Sequence, residues 1–424
     1  MAGISDAEHV EKRPGIAGLL RRPTLRLIWG GQVASVAGDR LYGVALIWIT
    51  LKLTGSPSAV AVVSIAGTAP FLLASIVSGW VADRGDGLRL TRGVDAARAA
   101  VVAIIPALYL SGHLNLLALT AVAAALSGLE AFFLPALQAS LPCLVEPAGL
   151  TPMVSLLDST DRLGRILGPG LVGLLAALPE IHLFTIDSAT FLVSAACLTA
   201  VLHRAPPRRD ADEPQPAGSP VLDLLAGWQR TIRTPVLRDA LVLRGVCNLA
   251  WSAFTLAVPF LVAHRYRQGI GGYGLTLGVF GAGNLLGTVL AARITEGWLA
   301  RTCCLAWTAT GFGFAALAGA PSYGAFLIVS AAIGICTPLA NVTINAHIAT
   351  TVPQQLLARV YTTQRVTVVG ASIAGLPLAA ALTTQHGPAS TLYAAAVFIA
   401  AAGGIALLNT ARRGPNEHAS AQVP

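Results

Sequence analysis

Asp39, Glu130 and Asp187 are carboxylates set inside long apolar runs: mid-way along one, deep in a second, and near one end of a third. A carboxylate held away from water binds and releases a proton as its surroundings change, and the change of charge favours one arrangement of its neighbours over another. These three residues are the candidates for proton coupling. Placing such a group at the centre of a membrane helix costs about 2.5–3.5 kcal/mol, so each needs a reason to be there. For Asp39 the competing reason is a fixed salt bridge to an arginine of a neighbouring run. For Glu130 it is structural pairing, and for Asp187 the capping or anchoring of a helix end. Arg40, Arg244 and Arg365 also lie in apolar runs. Asp158 with Arg162, and Asp161 with Arg165, have the i,i+4 spacing that lets opposite charges pair on one helix face. Gln32, Arg40, Tyr42, Trp48, Arg244, Asn248, Trp251, Asn284, Asn341 and Asn345 are candidates to line a cavity, with helix packing as the alternative. An apolar cavity carrying a few such groups suits a bulky amphipathic solute.

Composition says which elements position them. Hydrophobic residues make up 54% and charged residues 11% of the 424 residues, and the mean hydropathy is +0.68. Soluble domains carry about 25% charged residues, so the lipid bilayer is the expected solvent and partner. Splitting the chain at charges and Gly/Pro clusters predicts an all-α membrane protein with twelve spans, over 27–52, 58–81, 93–112, 114–139, 153–178, 182–203, 236–263, 272–294, 302–320, 322–348, 360–383 and 388–410. The divisions at "SGHLN" and "APSYG" are the least marked.

The gaps alternate in basic charge. Lys12, Arg13, Arg21, Arg22 and Arg26 precede span one, and Arg84, Arg89 and Arg92 follow span two. Six arginines from Arg204 to Arg238 follow span six, while Lys52 and His113 stand nearly alone in the gaps between. The positive-inside rule then puts both termini in the cytoplasm, with no cleavable signal peptide. Glu146 in the fourth gap, and Arg265 and Arg267 in the seventh, run against the pattern. The expected organisation is a cytoplasmic segment 1–24, a six-helix bundle 25–203, a linker 204–235, a second bundle 236–411 and a tail 412–424. The linker holds a Pro-rich stretch and an amphipathic helix near 221–234. The net charge of +8 sits in gaps and forms no nucleic-acid patch. The six cysteines lack metal spacing, no metal or other cofactor is expected, and no P-loop or H-E-x-x-H is present, which excludes an ATP-driven pump and argues against a membrane enzyme.

Two motifs carry a resemblance. "GWVADRGDGLR" between spans two and three resembles the G-x-x-x-D-R-x-G-R-R loop of the major facilitator superfamily, with Gly79, Asp83 and Arg84 in place and Arg89 displaced. "GRILGPGLVG" in span five is similar to the G-x-x-x-G-P-x-x-G motif of that family's exporters, through Gly164, Gly168, Pro169, Gly170 and Gly173, with Arg165 just before the Gly-Pro kink. The segments beginning at Leu141 and Ile348 also echo each other, as internal duplication requires.

The resemblance covers about residues 20–410. It implies two pseudo-symmetric six-helix bundles, a conformational latch at Gly79, Asp83, Arg84 and Arg89, and an antiporter motif in span five. It further implies a monomer in a bacterial plasma membrane that exports amphipathic drugs or secondary metabolites by proton antiport with alternating access. The alternative is a transporter of a siderophore or another narrow substrate on the same fold.

Overall fold

In the computed structural model, residues 16–84, 86–175, 178–204, 228–229, 235–352 and 354–412 are described. Among them, eleven helices are long and apolar enough to cross a membrane. The remaining expected span corresponds to the helix Pro147–Leu174, which carries Asp158, Asp161, Arg162 and Arg165. Spans one, three and four are Pro23–Thr54, Gly87–Leu110 and Leu116–Ser140. Span six is Ile181–Leu202, and spans seven to twelve are Pro235–Phe260, Ile270–Ala291, Leu299–Gly319, Tyr323–Thr351, Gln354–His386 and Pro388–Arg412. The linker expected between the halves, with the amphipathic helix near 221–234, lies outside the described residues except for helical Trp228 and Gln229.

Local chemistry sets the boundaries. Asn115 caps span four by accepting the Ala118 amide at 2.9 Å, and Ser322 caps span ten by accepting that of Ala325 at 3.3 Å. These two caps mark the divisions that hydropathy alone leaves faint. Span two differs from its expected single run. It comprises Pro57–Ala66 and Ala69–Arg84, because Pro70 offers no amide to the Ala66 carbonyl and its ring crowds that turn. Span five begins at Pro147, a turn and a half before the expected 153.

Helix pairing repeats with an offset of six. In the first half span one packs on spans five and six, span two on span four, and span three on spans four and six. In the second half span seven packs on spans eleven and twelve, span eight on span ten, and span nine on spans ten and twelve. The two bundles meet chiefly through span five against span eight and span two against span eleven, a pair of contacts that the same offset interconverts.

The span five–span eight seam is made of glycine. A Cβ on Gly278 would lie 2.8 Å from the Gly170 Cα, and one on Gly274 would lie 2.7 Å from the Gly173 nitrogen and 2.8 Å from the Val172 Cβ. Missing side chains let two helix backbones touch. Beside the seam, Trp48 of span one stacks on Tyr273 of span eight at 5.8 Å between centroids. The seam lies toward the end of the molecule that holds Lys52 and Glu180, which form an ion pair. Burial raises the Glu180 carboxyl, but the Lys52 ammonium outweighs this and holds it below the usual carboxylate range. A cavity of about 770 Å³ bounded by Lys52, Glu180 and Gln268 opens above the seam.

Two of the three charges that broke the gap pattern are accounted for locally. Glu146 pairs with Arg22 at 2.6 Å. Arg265 donates to the Ala318 carbonyl at 2.5 Å, at the C-terminal end of span nine, where a cation meets the helix dipole favourably.

Candidate functional site: two polar clusters within the membrane

The first cluster is centred on Arg98 of span three. Its Nη2 donates to Asp39 Oδ1 of span one at 2.6 Å, and its Nη1 lies 3.8 Å from Asp95 Oδ1, one turn earlier on its own helix. The guanidinium carbon stands 4.1 Å over the Phe191 ring of span six. Asp187, also on span six, is fully buried against Gly38. The Thr190 hydroxyl donates to the Asp187 carbonyl at 2.7 Å. Gly38 is required here, since a Cβ would overlap both Thr190 and the Asp187 carboxylate. Carboxylates of spans one and three thus bracket one guanidinium, and the charge of Asp187 on span six acts on it as well.

Exposure separates them. Arg98 is 5% exposed and Asp95 not at all, while Asp39 keeps 27% of its side chain exposed. One edge of the Asp39 carboxylate is therefore sealed against Arg98 and the rest is reachable. Glu130, on span four, is exposed and close enough for its charge to act on both Asp39 and Arg98. Arg40 pairs with Asp161 of span five at 2.9 Å, so the Arg40 expected to line a cavity instead ties span one to span five.

The second cluster is centred on Arg244 of span seven. Its Nη1 donates to Asn345 Oδ1 of span ten at 2.8 Å and to Gln364 Oε1 of span eleven at 2.6 Å. Its Nη2 donates to Asn341 Oδ1 of span ten at 3.4 Å, and the Asn248 amide donates to the Arg244 carbonyl at 2.8 Å. Arg244, Asn248, Asn341 and Asn345, separate in the sequence, thus come together in one place. Beyond them an aromatic wall of Trp251, Phe254, Phe280 and Phe314 has centroids 5.1–5.9 Å apart. Arg365 of span eleven lies over the Phe71 ring of span two at 5.7 Å, across the two halves.

Several expected roles need correction. Arg89, assigned to a latch between helices, is exposed and pairs at 3.1 Å with Asp86 of its own first turn. It is Asp86 that caps span three, accepting the Arg89 amide at 3.2 Å. The side chains of Gly79, Asp83, Arg84, Arg162, Arg165 and Pro169 lie outside the described residues. In the span-five motif, Gly164 and Gly168 face Val36 and Arg40 of span one, whereas Gly170 and Gly173 face span eight. Tyr42 meets the Phe184 ring edge-on at 5.7 Å with its hydroxyl buried, and Gln32 is part-exposed with its Oε1 buried. Asn284 donates to the Phe280 carbonyl of its own helix at 3.0 Å. Asp187 caps no helix, the N-cap position of span six being Glu180. Sequence reasoning passed over Asp95, Arg98 and Gln364.

A family model described as transmembrane secretion effector matches residues 16–423. The chain belongs to this family of major facilitator superfamily transporters. It is 28% identical over 389 residues to the multidrug efflux pump Tap of Mycolicibacterium fortuitum, covering 88% of this chain and 92% of that protein. It is 26% identical over 180 residues to macrolide efflux protein A of Streptococcus pyogenes, covering 42% and 44% of the two chains. Among solved structures it resembles a bacterial homologue of the iron transporter ferroportin in an inward-facing state, with a TM-score of 0.70, 14% identity, and coverage of 92% of this chain and 98% of that one. Family membership and the apolar helices make the chain a multi-pass membrane protein.

Proposed function

We propose that this chain exports amphipathic small molecules from the bacterial cytoplasm in exchange for protons, by alternating access, and that it does no enzyme chemistry. Both termini lie inside, the Lys52 end faces outward, and a single chain is the working unit. The domain limits expected from sequence place one bundle on each side of the transport path. The names of the efflux relatives support the export of drug-like solutes.

One observation carries the coupling: the reachable carboxylate Asp39 and the sealed cation Arg98 share a 2.6 Å hydrogen bond. Protonating Asp39 removes its charge and frees Arg98 to turn toward Asp95 and Asp187. That shifts span three relative to span one and supplies the bistable element that alternating access needs. In this reading the packed glycine seam closes the Lys52 end, and Asp39 exchanges its proton with the inside.

In cells expressing the protein, a fluorescent amphipathic cation such as ethidium accumulates several-fold less than in control cells, and a protonophore restores the control level. Asp39→Asn abolishes the difference, and Glu130→Gln reduces it. Efflux that a protonophore leaves unchanged would overturn proton coupling.

A further inference from the structure

The second half of the molecule holds a cation that its own residues leave uncompensated. Between residues 235 and 412 the only acids are Asp239 and Glu296. Neither pairs with Arg244, whose side chain donates to three neutral amide oxygens, of Asn341, Asn345 and Gln364. Buried charges are ordinarily paired, because amides offset only part of the lost hydration. Two further donors of the same cluster, Arg244 Nε and Gln364 Nε2, are buried without a hydrogen-bond acceptor among the described residues, and Gln364 is 2% exposed. A guanidinium and a neighbouring amide with spare N–H groups form the donor array that a carboxylate or similar planar oxyanion satisfies.

The cluster is also reachable. Arg244, Asn341 and Asn345 keep intermediate exposure. Arg365, next in sequence to Gln364, is exposed and reaches Phe71 of the opposite half. In that half Glu130 is exposed and Asp39 partly so, and the two lie close enough for their charges to interact. The first bundle thus offers accessible carboxylates and the second a guanidinium without a carboxylate partner among the described residues.

We propose that the Arg244 cluster recognises an anionic oxygen group, a carboxylate or its equivalent, on an amphipathic solute. A basic nitrogen on the same solute would face Glu130, so zwitterions are favoured over simple cations. This rests on the export reading above and narrows its substrate class. Arg244 holds the anion, Gln364 adds a donor, and Asn341 and Asn345 fix the guanidinium plane by accepting from it.

The test uses the purified full-length protein and two dyes, rhodamine B, with a free carboxylate, and its ethyl ester, which lacks one. Fluorescence polarisation reads their affinities. The wild type is expected to bind rhodamine B at least about tenfold more tightly than the ester, the size of one charge-assisted hydrogen bond. Arg244→Gln removes that preference and leaves ester binding unchanged. Gln364→Glu gives Arg244 the carboxylate it lacks, so it too removes the preference while raising the melting temperature, which separates loss of recognition from loss of fold. Equal affinities, no binding of either dye, equal weakening of both dyes by Arg244→Gln, or a preference that survives Gln364→Glu would each overturn the proposal. Protonophore-sensitive efflux of the ester without any carboxylate preference would leave the export reading standing and remove this one. Carboxylate preference without such efflux would do the reverse.

Discussion

Arg98→Leu lowers the stability of the folded protein far more than Asp39→Asn does. Among the described residues Arg98 is the cation paired with the carboxylates of Asp39 and Asp95, its charge also acts on Asp187, and its side chain is 5% exposed. Removing one partner of a buried ion pair costs about 3–5 kcal/mol, because the other charges stay behind uncompensated. Asp39→Asn leaves Arg98 still beside Asp95, with Asp187 close by, so the cluster keeps opposite charges and the cost stays near that of one hydrogen bond, about 1 kcal/mol. In detergent, the thermal unfolding of Arg98→Leu should fall well below that of the wild type, with Asp39→Asn close to the wild type. The double variant should recover part of the loss, since one orphaned carboxylate is gone. Equal effects of the two single changes would contradict a shared cluster, as would an additive double variant.

Gly274→Leu stops transport by opening the Lys52 end. A Cβ at this position already meets the Gly173 nitrogen at 2.7 Å and the Val172 Cβ at 2.8 Å, and the span-five backbone cannot step aside without parting the seam. Overpacking of this kind costs about 1–3 kcal/mol. If that cost falls on the closed-seam state alone, the balance between conformations shifts roughly 5- to 150-fold. Val172 is fully buried against the seam, so Val172→Cys reports on it. A membrane-impermeant maleimide should label that cysteine at least about tenfold faster with Gly274→Leu than without it, while efflux drops to the control level. Unchanged labelling together with wild-type transport would show that the glycine contact does not gate the path.

The fold was largely legible because hydropathy is a collective signal. Runs of some twenty apolar residues remain visible whatever their partners, and the pairing pattern repeats with the expected offset of six. Where one residue decides, the sequence said less. Pro70 divides span two, yet "GTAP" reads equally as a tolerated kink.

The site was legible in part. Asp39, Arg244, Asn341 and Asn345 stand out because polar groups in apolar runs are rare. Asp95 and Arg98 were passed over because they lie within three turns of the loop arginines Arg89 and Arg92 and read as a continuation of that charge. Their i,i+3 spacing inside a helix was the available signal. That Arg98 pairs with Asp39, 59 positions earlier, is a product of tertiary packing and leaves no local trace. The seam was half visible, since the span-five glycines Gly170 and Gly173 mark close packing, but their partners Gly274 and Gly278 on span eight could not be read from spacing.

The central claim is that Asp39 exchanges a proton for solute. Proteoliposomes loaded with a pH-sensitive dye test it directly, in a buffer without other permeant ions, when ethidium is added outside. Wild-type protein is expected to move protons against the flow of ethidium, and Asp39→Asn protein, folded and still binding ethidium, to move none. Proton movement of equal size in the two proteins would contradict the account.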